Sequence, residues 1–345
     1  MKTSQLKSNR RSFLQRSAAV SAGLCSFSPA ISYAGPAAVS PEARPVTPNC
    51  KGTLPNGKIG KVTLSRLISG GNLLSGWCHQ RDLLFVRNLA SAYLTEQKQF
   101  DTLQMLEEWG VNAIVIDMMQ QEILNKYRQS RGSKMQAIVS VREDWGSWDT
   151  GNWDNLKTQI QAAMQKGADL LYLHGGYSDR LVQANKPANL DVMAKAIQFI
   201  REQGMVAGIG AHELEVLKTC DKRGVTPDYY VKTFHHDKYW SATPRERRKP
   251  FTVDGPRSLD HNEFHDNIFC LDPEGTIQFM DEKSIPWIAF KVLAAGAISP
   301  LSGFKYAFEN GADFVAVGMF DFEVNEDIGA LKKTLNGLQR ERPWC

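Results

Sequence analysis

The stretch "KGADLLYLHGG" (166–176) decides the fold of this 345-residue chain. Gly167 closes the amphipathic segment "NWDNLKTQIQAAMQKG" (152–167), whose Leu156, Ile160, Ala163 and Met164 fall on one helical face. A short apolar run, "LLYL", follows without alternation, and then His174 and two glycines. A continuous apolar run this short reads as a strand buried on both faces, as in a parallel sheet. The same unit recurs as "SRLISGGN" (65–72), "WGVNAIVIDMM" (109–119), "KMQAIVSVRED" (134–144) and "QGMVAGIGAHE" (203–213). "TPDYYVKTFHH" (226–236), "SIPWIAFKVLAAG" (284–296) and "NGADFVAVGMF" (310–320) complete the set. Amphipathic segments lie between them, such as "NLDVMAKAIQFIREQG" (189–204), with Val192, Ala196, Ile197 and Ile200 inward. Eight strand–helix units predict a single-domain α/β protein, a (β/α)8 barrel over residues 61–345. An open doubly wound sheet fits less well, because "ISGGN" does not complete the glycine pattern of a dinucleotide turn. Two connections are long: 72–96 after strand one, and 235 to about 272 after strand six, which reads as an excursion of lid or binding type.

The remaining chain reads differently. "SNRRSFLQRSAAVSAGLCSFSPAISYA" (8–34) has a basic start, an apolar run and a small-x-small end at Ser32-Tyr33-Ala34. "NRRSFL" resembles the twin-arginine export signal, which implies a cleaved leader at 1–34, passage through that export machinery in the folded state, and a periplasmic or extracellular site of action. Residues 35–60, rich in Pro, Gly and Ser, read as a spacer. No later run is long enough to span a bilayer, and a net charge of +4 without a basic helix face gives no case for nucleic acid. The cysteines Cys50, Cys78, Cys220, Cys270 and Cys345 are scattered and lack the spacing of a thiolate zinc site.

In a barrel, chemistry gathers where strands end. Those positions hold Asn72, Asp117, Arg142 with Glu143 and Asp144, His174, His212 and Glu213, then Lys232 with His235, His236 and Asp237, Lys291, and finally Asp321 and Glu323. Ionisable groups drawn together from several strands can shift one another's proton affinity, as catalysis needs. Lys232 and Lys291 stand in apolar runs, where an unpaired ammonium is costly. Asp179, Asp321 and Glu323 read as helix-start charges.

Three readings follow. In the first, His174, His236 and Glu213 hold a divalent metal, with Glu213 as ligand or base. Lys232 steadies negative charge on oxygen, and Asp117 and Arg142 orient hydroxyls. The substrate is then a small polar, carbohydrate-like molecule stacked on Trp77, Trp145, Trp148 or Trp240, and the chemistry is of lyase or isomerase type. "DHNEFHDN" (260–267) adds His261, Glu263, His265 and Asp266 as a weaker cluster. In the second, Gly296, Gly318 and Met319 on strands seven and eight hold a phosphate through backbone N–H groups, as in aldolase-type barrels, and Lys291 would find its anionic partner there. The third rests on a resemblance: "TLSRLISGGNLLSGW" with "FDTLQMLEEWGVNAIVID", and "DLLYLHG", resemble aldo-keto reductases. The resemblance implies NAD(P)-dependent carbonyl reduction, with Asp117 and His174 matching that family's Asp and His. Its Tyr has no match, since Tyr127 lies too far along, and Arg142 stands where its Lys is expected. A non-catalytic binding barrel is the remaining alternative.

Overall fold

The computed structural model describes residues 50–79, 83–144, 151–252 and 269–345. Two short strands come first, β1 (Asn56–Ile59) and β2 (Val62–Ser65), paired antiparallel across a turn at Gly60, whose φ of +57° suits glycine. The Pro/Gly-rich spacer therefore carries a strand at its end. Eight parallel strands follow and close on themselves: β3 (Leu67–Gly70), β4 (Ala113–Asp117), β5 (Gln136–Val141), β6 (Leu170–Leu173), β7 (Val206–Ala211), β8 (Tyr229–Thr233), β9 (Trp287–Phe290) and β10 (Phe314–Val317). β10 pairs with β3 through Val315–Leu67, Ala316–Ile68 and Val317–Ser69, which completes the (β/α)8 barrel.

Helices lie between the strands. α1 (Leu84–Tyr93) and α2 (Glu96–Glu108) follow β3, so the first long connection is helical in part. α3 (Gln121–Arg131) follows β4, and α4 (Trp153–Gln165) follows β5, capped by the Asn152 side chain on the Asn155 amide. α5 (Gly175–Ala184) and α6 (Pro187–Glu202) follow β6; α7 (Leu214–Lys222) follows β7. α8 (Pro273–Asp281), α9 (Pro300–Glu309) and α10 (Val324–Asn336) follow β8, β9 and β10. Between Thr233 and Pro273 the described residues hold one short turn, Arg245–Arg247. Among the described residues no helix is long and apolar enough to cross a membrane, and the five cysteines there are free thiols.

The unbroken apolar runs are explained by two cores. Along a strand, side chains alternate sides. On β6, Leu170 and Tyr172 join the barrel interior, while Leu171 and Leu173 face the helices. On β5, Ile138 points inward and Ala137, Val139 and Val141 outward. Ile59 and Leu64 of the β1–β2 hairpin belong to the inner cluster and plug the barrel floor. Higher up, the rings of Tyr172 and Tyr229 fill the interior opposite β7. They fit because β7 carries Gly208 and Gly210: a Cβ at Gly208 would lie 2.5 Å from Tyr229 Cζ, and one at Gly210 2.9 Å from the Tyr172 ring.

The bottom is locked by the C-terminal tail. Asp313, fully buried, receives Arg340 Nη2 at 3.0 Å and Arg342 Nη1 at 2.9 Å, together with the amides of Trp287 and Cys345. Arg66 lies 3.8 Å from the centre of the Trp344 ring.

Candidate active site

The strand ends open into a cavity of about 500 Å³. Asp117, Ser140, Tyr172 and Thr233 form its floor, and His79, His174, His212 and Lys291 its walls. Asp117 is fixed from several sides. Its backbone N–H donates to Gln120 Oε1 at 2.6 Å, and its Oδ1 accepts from the Met119 amide at 3.1 Å, an N-terminal capping box. Its Oδ2 accepts from Arg142 Nη1 and, at 3.3 Å, from Ser140 Oγ. Both partners of this ion pair are buried, so removing either would take a charged partner from the other. Arg142 does not itself line the cavity; it braces Asp117 from behind.

Tyr172 was not singled out by sequence reading, although its parity with Leu170 on β6 would have placed it inside. Its hydroxyl lies near Ser140, and burial, reinforced by the Asp117 charge, raises its proton affinity well above that of a free phenol. A second pair escaped notice because Asp179 reads as a helix-start charge. Asp179 Oδ2 lies 2.7 Å from His212 Nδ1, and the Asp179 carboxylate also accepts from the backbone amides of His212 and Glu213 at 3.2 Å and 3.1 Å. Gly175 leaves room for the His212 ring, since a Cβ there would sit 3.2 Å from Cε1.

Other candidates have structural duties. Lys232 is fully buried and donates to His212 O at 2.6 Å and Thr233 O at 2.8 Å. It ties β7 to β8 and does not line the cavity. Glu213 accepts from the Phe251 amide at 2.7 Å, which holds the excursion down; burial, then Asp179, raises its carboxyl pKa. His235 is an internal tie: Nδ1 donates to His236 O, and Nε2 accepts from the amides of Phe269 and Cys270 at 3.1 Å and 3.2 Å. Only a neutral ring can do both, and burial lowers its pKa to about 4. His236 turns away, with Nε2 3.0 Å from Ser302 Oγ on α9.

The expected metal triad is therefore not assembled. His174 lines the cavity, Glu213 serves the excursion, and His236 faces α9; among the described residues no group of three His, Cys, Asp or Glu is placed to hold an ion. Trp145, Trp148, His261, Glu263, His265 and Asp266 lie outside the described residues. Trp240 projects into solvent, whereas Trp77 lines the cavity.

A second chamber of about 600 Å³ adjoins the first along β9, β10 and β3. Asn72, Trp77, His79 and Lys291 line both. Lys291 packs 4.5 Å from the Phe269 ring centre, in contact with His79. The loop after β9 is unusual: Lys291, Ala294 and Ala295 have φ of +57°, +46° and +53°, followed by Gly296 at +87°. Left-handed non-glycine residues are costly and persist where surrounding structure enforces them. Gly296 and Gly318 line this chamber, as does Ser299, which caps α9 with no side-chain bond. Its far wall carries Glu323, Glu326 and Asp327. Asp327 is only 4 % exposed and makes no side-chain hydrogen bond or ion pair among the described residues. Burial and the two neighbouring glutamates raise its pKa to about 7. Asp321, by contrast, is taken by Tyr93 and Lys98.

Two solved structures of a proposed aldo-keto reductase from Pseudomonas aeruginosa share this barrel. What is shared is the (β/α)8 barrel. One matches at a TM-score of 0.53 over 83 % of this chain and 99 % of its own, the other at 0.51 over 84 % and 100 %, each at 13 % identity. Identity this low establishes shared architecture and no more. No family model matches the sequence, and no curated protein does.

Proposed function

We propose that this chain is an oxidoreductase acting at a carbonyl or hydroxyl carbon of a small polar, carbohydrate-like compound, with a nicotinamide nucleotide as hydride carrier. The observation that carries this reading is the pair of joined chambers at the mouth of an aldo-keto-reductase-like barrel. Asp117, Arg142 and His174 end β4, β5 and β6, where the resemblance expects Asp, Lys and His. Arg142 keeps the positive charge against the carboxylate.

The second chamber suits a nucleotide in size and donor set. Lys291 and the uncapped first turn of α9 offer positive character to phosphates. The carboxyl of Asp327, with Glu323 and Glu326, offers acceptors to amino and hydroxyl groups. When bound, the nucleotide supplies or accepts the hydride; Asn72 and Lys291, which border both chambers, orient the acceptor oxygen beside it. Trp77 stands between the chambers and reports on their filling. NADPH added to the full chain is expected to quench tryptophan emission to saturation, and Lys291→Ala to weaken that binding tenfold or more. Emission unchanged at millimolar NADPH would remove the nucleotide.

The second reading is acid–base chemistry of lyase or isomerase type without hydride transfer, favoured by the three histidines that line the first cavity. We also propose export by the twin-arginine route: replacing Arg10-Arg11 by a lysine pair is expected to leave the uncleaved chain in the cytoplasm, read by fractionation and N-terminal sequencing.

A further inference from the structure

A carbonyl reduced by hydride needs a proton for its oxygen, and the residue expected to give it is missing. Tyr127 lies on α3, fully buried and bonded to Glu107, away from the cavity. Tyr172 reaches the cavity floor, but burial and then the Asp117 charge raise its proton affinity, which makes it a weaker acid than a free phenol.

We propose that His212 is the proton-transfer group of this site, with Asp179 as the residue that positions it. The proposal rests on the carbonyl chemistry put forward above. His212 follows β7 and lines the cavity, within the same wall as His174. Asp179 is buried and fixed by two backbone amides, so its carboxylate does not wander. At 2.7 Å it selects the tautomer with the proton on Nδ1, which leaves Nε2 as the basic nitrogen of the ring. Gly175 against Cε1 allows the ring this position. A carboxylate behind an imidazole both orients it and stabilises its protonated form.

In reduction, hydride adds to the carbonyl carbon and oxidises the dihydronicotinamide, while the Nε2–H bond of the imidazolium breaks and the proton bonds to oxygen, leaving an alcohol and a neutral ring. In oxidation, Nε2 takes the hydroxyl proton as hydride departs. Asp179 keeps its charge throughout.

Two measurements on the full chain test this. The first needs no substrate: diethyl pyrocarbonate labels neutral imidazole nitrogens, and peptide mass mapping reads each histidine. His212 is expected to label in the native protein, with a pH midpoint that falls by about one unit in Asp179→Asn, the shift expected when an adjacent negative charge is removed. The second follows p-nitrobenzaldehyde reduction by NADPH. His212→Asn and His212→Gln are each expected to lower kcat by about 10²–10⁴-fold, the usual worth of a general acid, while tryptophan quenching by NADPH stays within twofold of wild type. A His212 that labels only after unfolding, a midpoint unmoved by Asp179→Asn, or undiminished turnover in both His212 variants overturns the proposal. Failure of wild type to bind NADPH would instead remove the hydride carrier, and the labelling midpoint would still decide the role of His212.

Discussion

Asp313→Ala is expected to lower the unfolding free energy by about 3–5 kcal/mol, the cost of leaving a buried charge without its partner. The alanine would strand two guanidinium groups, Arg340 and Arg342, whose side chains are 5 % and 4 % exposed. It would also leave the amides of Trp287 and Cys345 without the acceptor they now share. Arg342 has other acceptors, including Gly311 O at 2.9 Å and Met280 O at 3.1 Å, so the tail is held by a network rather than a single bond. Those carbonyls are neutral and cannot replace a carboxylate. Asp313→Asn is a useful companion, because it keeps an acceptor and removes the charge; a smaller loss is expected there. Urea unfolding followed by tryptophan emission reads both. A midpoint for Asp313→Ala equal to that of wild type would mean that the tail does not lock the barrel.

The contrast between this network and the mouth shows what the sequence makes legible. Strand after strand, a continuous apolar run marked a wall buried on both sides, and the closed barrel follows from eight of them. Asp117 and His174 were found because they stand directly after such runs. Arg142 was found for the same reason, yet its side chain runs behind Asp117, a direction no linear pattern contains. Lys232 looked functional because an ammonium in an apolar run needs a partner; its partners proved to be the carbonyl of His212, just past β7, and the carbonyl and hydroxyl of Thr233 on its own strand. Main-chain acceptors leave no trace in sequence. Asp179 and His212 are 33 residues apart, and only the closure of α5 against β7 brings them together. Tyr172 was hidden inside a run read as uniformly apolar. Its hydroxyl is legible only once the alternation of β6 is known. The adjacent histidines show the same limit: an extended chain sends them to opposite sides, but only the structure reveals that neither enters the cavity.

Acidification is expected to weaken the fold through His235, which joins both ends of the excursion. The folded ring has a pKa of about 4 against 6.5 for the free side chain, with burial as the main cause. A base whose proton affinity is depressed by folding binds fewer protons in the native state than in the unfolded state between those two values. Stability therefore rises with pH across that window, is fully present above it, and is lost as pH falls through it. A gap of roughly 2.5 pH units corresponds to about 3 kcal/mol over the whole window, and about 2 kcal/mol is gone near pH 5. The cause is local: protonated Nε2 can no longer accept from the Phe269 and Cys270 amides, and those two donors are buried. His235→Gln offers an uncharged acceptor at every pH. It is expected to be less stable than wild type at pH 7.5 and to show a shallower loss on going to pH 5, the difference between the two urea series isolating this ring from the carboxylates that titrate alongside it. Parallel losses in wild type and variant would show that the ring takes its proton without cost, and so that the two ends of the excursion are not held together through it.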